Sequence, residues 1–226
     1  MWVKICGNTS LEDVQLATEL GADAVGFIFA VSKRQVSAEQ VAGITSALEM
    51  PIERVGVFDS HDAGQIISMA EAAGLSAVQL HGGFDEGLLR QVSEAAAGRF
   101  RIIQTLHWTV GDTAAEGTLE QLRTQLAAIA SLGVTDRVLI DSKVNGFGGG
   151  TGMAFDWSKA RELFAAQRNR GVRLVLAGGL KPENVAGAIQ ELEPWGVDVS
   201  SGVEFEPGKK DPERVRQFIT NARCAG

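Results

Sequence analysis

The sequence predicts an α/β protein, a single (β/α)8 barrel (TIM barrel) spanning residues 1–226 as one domain. Three observations carry that expectation. Short apolar runs alternate with helical patterns along the whole chain, as in parallel strands joined by crossover helices. Eight such runs follow one another at the spacing of a βα unit, with no linker between them. The last two runs end in turns of small residues, the arrangement that forms a phosphate site after strands 7 and 8 of such barrels. A doubly wound sheet is the competitor, and its first turn should read G-x-G-x-x-G. Cys6-Gly7-Asn8-Thr9-Ser10 lacks that spacing.

The strand runs fall at 3–6, 24–29, 55–58, 77–80, 101–106, 138–141, 174–177 and 197–200. They are continuous rather than alternating, as expected of strands covered on both faces. Between them, Leu11, Val14, Ala17 and Leu20 recur at helical spacing behind a capping box, Thr9-Ser10-Leu11-Glu12. Val41, Ile44 and Leu48 follow a second box, Ser37-Ala38-Glu39-Gln40. Further stripes are Leu119, Leu122, Leu126 and Ile129, then Trp157, Ala160, Leu163 and Phe164. Val185, Ala188, Ile189 and Leu192 follow Pro182, and Val215, Phe218 and Ile219 follow Pro212, each proline suiting a first helical position.

Hydrophobic residues make up 45% of the 226 and charged residues 22%, enough to bury a large core. A net charge of −7 argues against nucleic acid or an anionic membrane surface as partner. No run approaches the ~18 apolar residues of a membrane span, because Asp23 and Lys33-Arg34 interrupt the richest stretch. The N-terminus enters a strand pattern directly, without a leader, and two cysteines are too few for a disulfide framework. A reducing cytoplasm is therefore expected. A monomer is expected as well, with a dimer as the alternative.

Barrel chemistry gathers at the C-terminal strand ends. The reactive residues there are Cys6, Arg34, His81, His107, Asp141 and Asp198, in a chain without tyrosine. The histidines, with His61, sit on different units and in no zinc motif, so no metal is expected, and each reads first as a loop or pocket-lining residue. Cys6 reads either as a small buried hydrophobe or as a base in the barrel mouth, its thiolate favoured by helix N-termini. Asp141 ends an apolar strand, where a carboxylate needs a partner or a task, and Lys143 is the structural partner at hand. The glycine-rich stretch 146–152 is either a loose connection or a loop over a ligand. Leu174-Val175-Leu176-Ala177-Gly178-Gly179 and Val197-Asp198-Val199-Ser200-Ser201-Gly202 offer backbone N–H groups to a phosphate, unless glycine serves turn geometry alone.

Taken in order, these pieces resemble the phosphoribosylanthranilate isomerases of tryptophan biosynthesis. The resemblance runs through Val3-Lys4-Ile5-Cys6-Gly7, Ser32-Lys33-Arg34, Val78-Gln79-Leu80-His81-Gly82, Leu139-Ile140-Asp141 and Gly149-Gly150-Thr151-Gly152. It continues with Ala177-Gly178-Gly179-Leu180 and ends with Val197-Asp198-Val199-Ser200-Ser201-Gly202-Val203-Glu204 and Pro207-Gly208-Lys209-Lys210-Asp211. The chain departs from the family pattern at Gln104-Thr105-Leu106-His107-Trp108 and Asp59-Ser60-His61-Asp62.

The resemblance implies an aldose-to-ketose isomerisation of a small phosphorylated substrate without a cofactor. Asp141 matches the family's general acid and Cys6 its general base. Arg34 would hold the anthranilate carboxylate and Asp198 would meet the anthranilate nitrogen. Gly178, Gly179, Ser200, Ser201 and Gly202 would cradle the phosphate. A lyase or sugar isomerase of another phosphate-binding barrel family would carry a lysine, a glutamate or a second aspartate where Cys6 stands. A non-catalytic sensor would lack Cys6 or Asp141.

Overall fold

Runs of Val, Ile, Leu and Ala too short for helices and apolar on both faces must be buried on both sides. In the computed structural model they are. The structure describes residues 1–110, 115–135, 137–144, 157–167 and 171–226. The strands are β1 (Trp2–Ile5), β2 (Ala24–Ile28), β3 (Glu53–Phe58), β4 (Ala77–Leu80), β5 (Arg101–Val110), β6 (Arg137–Val144), β7 (Arg173–Ala177) and β8 (Gly196–Val199). All are parallel and close into one barrel in chain order, with β1 hydrogen-bonded to both β2 and β8. The helices α1 (Leu11–Glu19), α2 (Ala38–Ser46), α3 (Ala63–Ala72), α4 (Glu86–Ala96), α5 (Ala115–Leu132), α6 (Trp157–Gln167), α7 (Val185–Leu192) and α8 (Pro212–Ala225) alternate with them.

Side chains alternate in and out along each strand. The inward set Ala24, Val55, Ala77, Ile103, Leu139 and Val175 fills the barrel, and the outward set packs beneath the helices. The N-terminal end is plugged by Arg137, whose Nη1 and Nη2 each donate to Glu53 at 2.7 Å while the guanidinium lies 5.3 Å from the Trp2 ring. Trp2 in turn stacks on Trp195. Among the described residues no helix is long and apolar enough to cross a membrane.

Several details differ from the sequence reading. β5 and β6 run beyond 106 and 141 because they pair continuously from Ile103↔Arg137 to Val110↔Val144. Ser10, not Thr9, caps α1 by accepting from Asp13 N, so the capping pair sits one residue later. Ser37 caps α2 and Pro212 opens α8 as expected. Pro182 instead lies in a turn before α7, whose own cap is Asn184. After β8 the chain forms a 3-10 turn (Ser201–Val203) and an antiparallel hairpin, β9 (Glu204–Glu206) with β10 (Lys209–Lys210). The stretch 146–152 lies outside the described residues, as does the side chain of Lys143.

Candidate active site

Towards the C-terminal strand ends the inward positions become polar on β1, β4, β5, β6 and β8, with Lys4, Gln79, Thr105, Asp141 and Asp198, while β3 and β7 keep Val57 and Ala177. Lys4 and Cys6 share a parity on β1 and just beyond it, as do Asp198 and Ser200 on β8. The register Lys4↔Asp198 sets these two side by side, and Nζ donates to Oδ1 at 3.0 Å with Lys4 wholly buried. β2 contributes no side chain at this level: a Cβ on Gly26 would stand 2.6 Å from the Cys6 Sγ and 3.1 Å from the Lys4 Nζ.

Burial pushes the Cys6 thiol above its ordinary range, although Lys4 pulls it down and Lys210 adds to that pull. This corrects the expectation of a thiol eased by helix N-termini: the cation beside Cys6 is Lys4, and desolvation outweighs it. Burial likewise raises Asp198, opposed by Lys4 and reinforced by the nearby Asp141 charge. Burial works against the Lys4 ammonium too, yet Asp198 and Cys6 hold it above the usual lysine range.

A second group lies beside the first. Arg34 donates from Nε to Glu204 Oε1 at 2.8 Å and from Nη2 to Oε2 at 2.6 Å. Lys210 is also buried, and its Nζ donates to the Cys6 carbonyl at 2.5 Å and to Glu204 Oε1 at 2.9 Å. Burial alone would raise Glu204, but Arg34 and Lys210 outweigh it and hold the carboxyl below its usual range. Burial lowers Lys210. Gly7, at φ +74°, leaves room for this packing, since a Cβ there would meet Arg34 Cδ at 2.6 Å and Ser200 Oγ at 2.8 Å.

Across the mouth, the Asp141 carboxylate lies 3.5 Å from His107 Nδ1. The other ring nitrogen of His107, Nε2, is 2.8 Å from the His81 carbonyl. A carbonyl only accepts, so Nε2 carries hydrogen and, in the neutral ring, Nδ1 is an acceptor facing Asp141. The histidines do sit on different units, but two of them meet: His81, His107 and Asp141 bring ligand atoms within 4.8 Å of one another, a set able to reach a cation, and His61 is not part of it.

The two turns meet beside this mouth. Gly178 and Gly179 adopt φ +89° and +63°, and the Asn184 amide bridges Gly179 O and Lys181 N. Gly202 lies so close that an added Cβ would be 1.9 Å from Leu180 O. Arg214 clamps the Gly202 carbonyl from behind, with Nε at 3.0 Å and Nη2 at 2.9 Å. The buried Ser200 Oγ has no hydrogen-bond partner among the described residues, a group that a ligand oxygen would satisfy. Two clefts, about 410 Å³ beside Phe100 and Val134 and about 460 Å³ beside Ala22 and Ile52, open at the strand starts, the opposite end of the barrel from this chemistry.

The nine residues to which the resemblance gives a role, Cys6, Arg34, Asp141, Gly178, Gly179, Asp198, Ser200, Ser201 and Gly202, lie in the C-terminal half of a strand or in the segment after one, at one end of the barrel. Sequence reasoning gave no role to Lys4, Glu204 or Lys210. A lysine in the middle of the apolar β1 was the available signal for the first, and the charge-rich hairpin for the others.

The family model described as N-(5'phosphoribosyl)anthranilate (PRA) isomerase matches residues 3–221. N-(5'-phosphoribosyl)anthranilate isomerase of Rubrobacter xylanophilus is 41% identical over 225 residues, covering 98% of each chain. The crystal structure of phosphoribosyl anthranilate isomerase from Thermotoga maritima superposes with a TM-score of 0.80 at 39% identity over 99% of both chains. A phosphoribosyl anthranilate isomerase in complex with reduced 1-(o-carboxyphenylamino)-1-deoxyribulose 5-phosphate gives 0.76 at 37% identity, again over 99% of both. On the matched family model and these full-length similarities, the chain belongs to the N-(5'phosphoribosyl)anthranilate (PRA) isomerase family.

Proposed function

We propose that this chain catalyses the Amadori rearrangement of N-(5'-phosphoribosyl)anthranilate to 1-(2-carboxyphenylamino)-1-deoxyribulose 5-phosphate in tryptophan biosynthesis. The observation that carries the reading is a thiol and a carboxyl at one barrel mouth, on β1 and β6, with the two small-residue turns on the intervening β7 and β8. An isomerase needs one group to give a proton and another to take one, held apart across a substrate that is anchored elsewhere.

Asp141 gives its proton to the ring oxygen of the sugar, the C1–O bond breaks, and the anthranilate nitrogen forms a Schiff base with C1. Cys6, as thiolate, takes the proton from C2. The resulting enolamine tautomerises to the ketone. His107 Nδ1 lies 3.5 Å from the Asp141 carboxylate, on the strand paired with it. Arg34 meets the anthranilate carboxylate through Nη1, since Nε and Nη2 are engaged by Glu204. Asp198 faces the anthranilate nitrogen. Ser200 Oγ and the backbone of Gly178, Gly179, Ser201 and Gly202 take the phosphate. A monomer is the assembly proposed for this step, and a cytoplasmic location fits a biosynthetic step of this kind.

The test follows the fluorescence of the anthranilate adduct as purified protein is added. The native chain consumes it. Cys6→Ala and Asp141→Asn keep the fold by circular dichroism, still bind the reduced product analogue, and lose turnover by at least about a hundredfold. Full turnover in either variant removes that residue from the mechanism.

A further inference from the structure

Lys4 has no task in the reaction as written, yet its position is a demanding one. A wholly enclosed ammonium persists only when it is paired. Asp198 is one partner, at 3.0 Å. The Cys6 sulphur is the other neighbour: Nζ and Sγ both border the one space that Gly26 leaves open, 3.1 and 2.6 Å from where a Cβ there would stand, and the ammonium favours the thiolate. Lys4 and Cys6 lie two positions apart on the same face, so the strand itself stacks them. The arrangement is a short line of three charge-bearing groups, sulphur, ammonium and carboxylate.

We propose that Lys4 is a positioning residue for the reaction, its buried ammonium shared between Cys6 and Asp198, so that Asp198 sets how much of the positive charge reaches the sulphur. The effect on turnover rests on the reading of Cys6 as the general base. The coupling between the three groups does not. Other charges face them from every side: Lys210 on β10 through the Cys6 carbonyl, Arg34 from the segment after β2, Glu204 between those two cations, and Asp141 on β6 towards Asp198. None of these is altered by changing Lys4 or Asp198, so a shift in Cys6 on either change reports the line of three.

Two substitutions give opposite signs. Lys4→Met removes the cation, so the thiolate is harder to form. Asp198→Asn removes the competing carboxylate and its repulsion, so the thiolate is easier to form. A lysine that merely filled space would leave both unchanged, or would move both the same way as the packing loosened.

The experiment measures iodoacetamide alkylation of Cys6 in the full chain by mass spectrometry as a function of pH, with the exposed Cys224 as internal control. Lys4→Met is expected to move the Cys6 midpoint up by about one pH unit or more, slowing alkylation about tenfold below it. Asp198→Asn is expected to move the midpoint down. An unmoved midpoint in Lys4→Met, or shifts of the same sign in both variants, overturns the proposal. If Lys4→Met does not fold, Asp198→Asn decides alone, and a midpoint that fails to fall overturns it. The kcat/KM profile should follow the alkylation midpoints. Midpoints that move while that profile stands still would uphold the coupling and refute Cys6 as the base.

Discussion

Arg34 and Glu204 meet as a two-pronged ion pair, Nε 2.8 Å from Oε1 and Nη2 2.6 Å from Oε2, so the guanidinium proposed for a substrate carboxylate is itself aimed by a carboxylate. The pair fixes the plane of the fork before any ligand arrives, which lowers the ordering cost of binding. Arg34→Met is therefore expected to raise KM about ten- to a hundredfold, the loss of a charge-assisted contact worth roughly 1.5–3 kcal/mol, with a smaller change in kcat. The fold should survive, because Lys210 still pairs Glu204. Steady-state kinetics and a Kd for the reduced product analogue check this, and unchanged values of both would show that the carboxylate is held elsewhere.

Glu204 also ties stability to pH. Its carboxyl is held below the ordinary value of 4.5 because Arg34 and Lys210 outweigh burial. A carboxyl depressed in the folded state contributes stability that is complete above the unfolded pKa and disappears as pH falls through the folded one. The difference in Tm between the native chain and Glu204→Gln should therefore be full at neutral pH and shrink as acid takes the solution below about pH 4.5. A difference independent of pH would show that the substitution acts through packing.

Gly202 holds the two turns together by having no side chain. A methyl group there would collide with Leu180 O, so Gly202→Ala must push the turns after β7 and β8 apart. Overpacking of this kind costs about 1–3 kcal/mol. The expected result is a lower Tm and weaker inhibition by inorganic phosphate, with the Cys6 alkylation profile unchanged. Phosphate inhibition equal to that of the native chain would place the anion elsewhere.

The opposite end of the barrel should answer to stability alone. Arg137 is buried, bonded twice to Glu53 and stacked on Trp2. Arg137→Met leaves Glu53 without its main counter-charge and is expected to cost about 3 kcal/mol in urea unfolding, while kcat stays near the native value. A fall in kcat without loss of stability would contradict the division of the barrel into a stabilising end and a reacting end.

The barrel was legible because its strands are mostly continuous apolar runs and its helix starts carry their own chemistry, as at Ser37 and Pro212. Strand-end position also marked Cys6, Asp141 and Asp198. Partnership was not legible. Lys4 finds Asp198 across 194 positions of sequence, through a register that only barrel closure sets. The same holds for Arg34 and Glu204, which are 170 positions apart. The hairpin that carries Glu204 and Lys210 is charged rather than apolar, so no hydrophobic pattern announces it. His107 faces Asp141 because β5 and β6 pair His107↔Asp141, a match that no local motif encodes. The thiol was misjudged for a related reason: sequence suggests helix ends, and only packing reveals how completely Cys6 is enclosed.

The seam between β1 and β8 is where the barrel closes, so the Lys4–Asp198 pair is tied to closure itself. A barrel sprung open at that seam would part a wholly buried ammonium from its carboxylate, and each would need water in place of the other. A slip of β8 by one residue against β1 would turn Asp198 out of the interior and set a valine beside Lys4 instead. The charges of the reacting end thereby also fix the register in which the ring shuts.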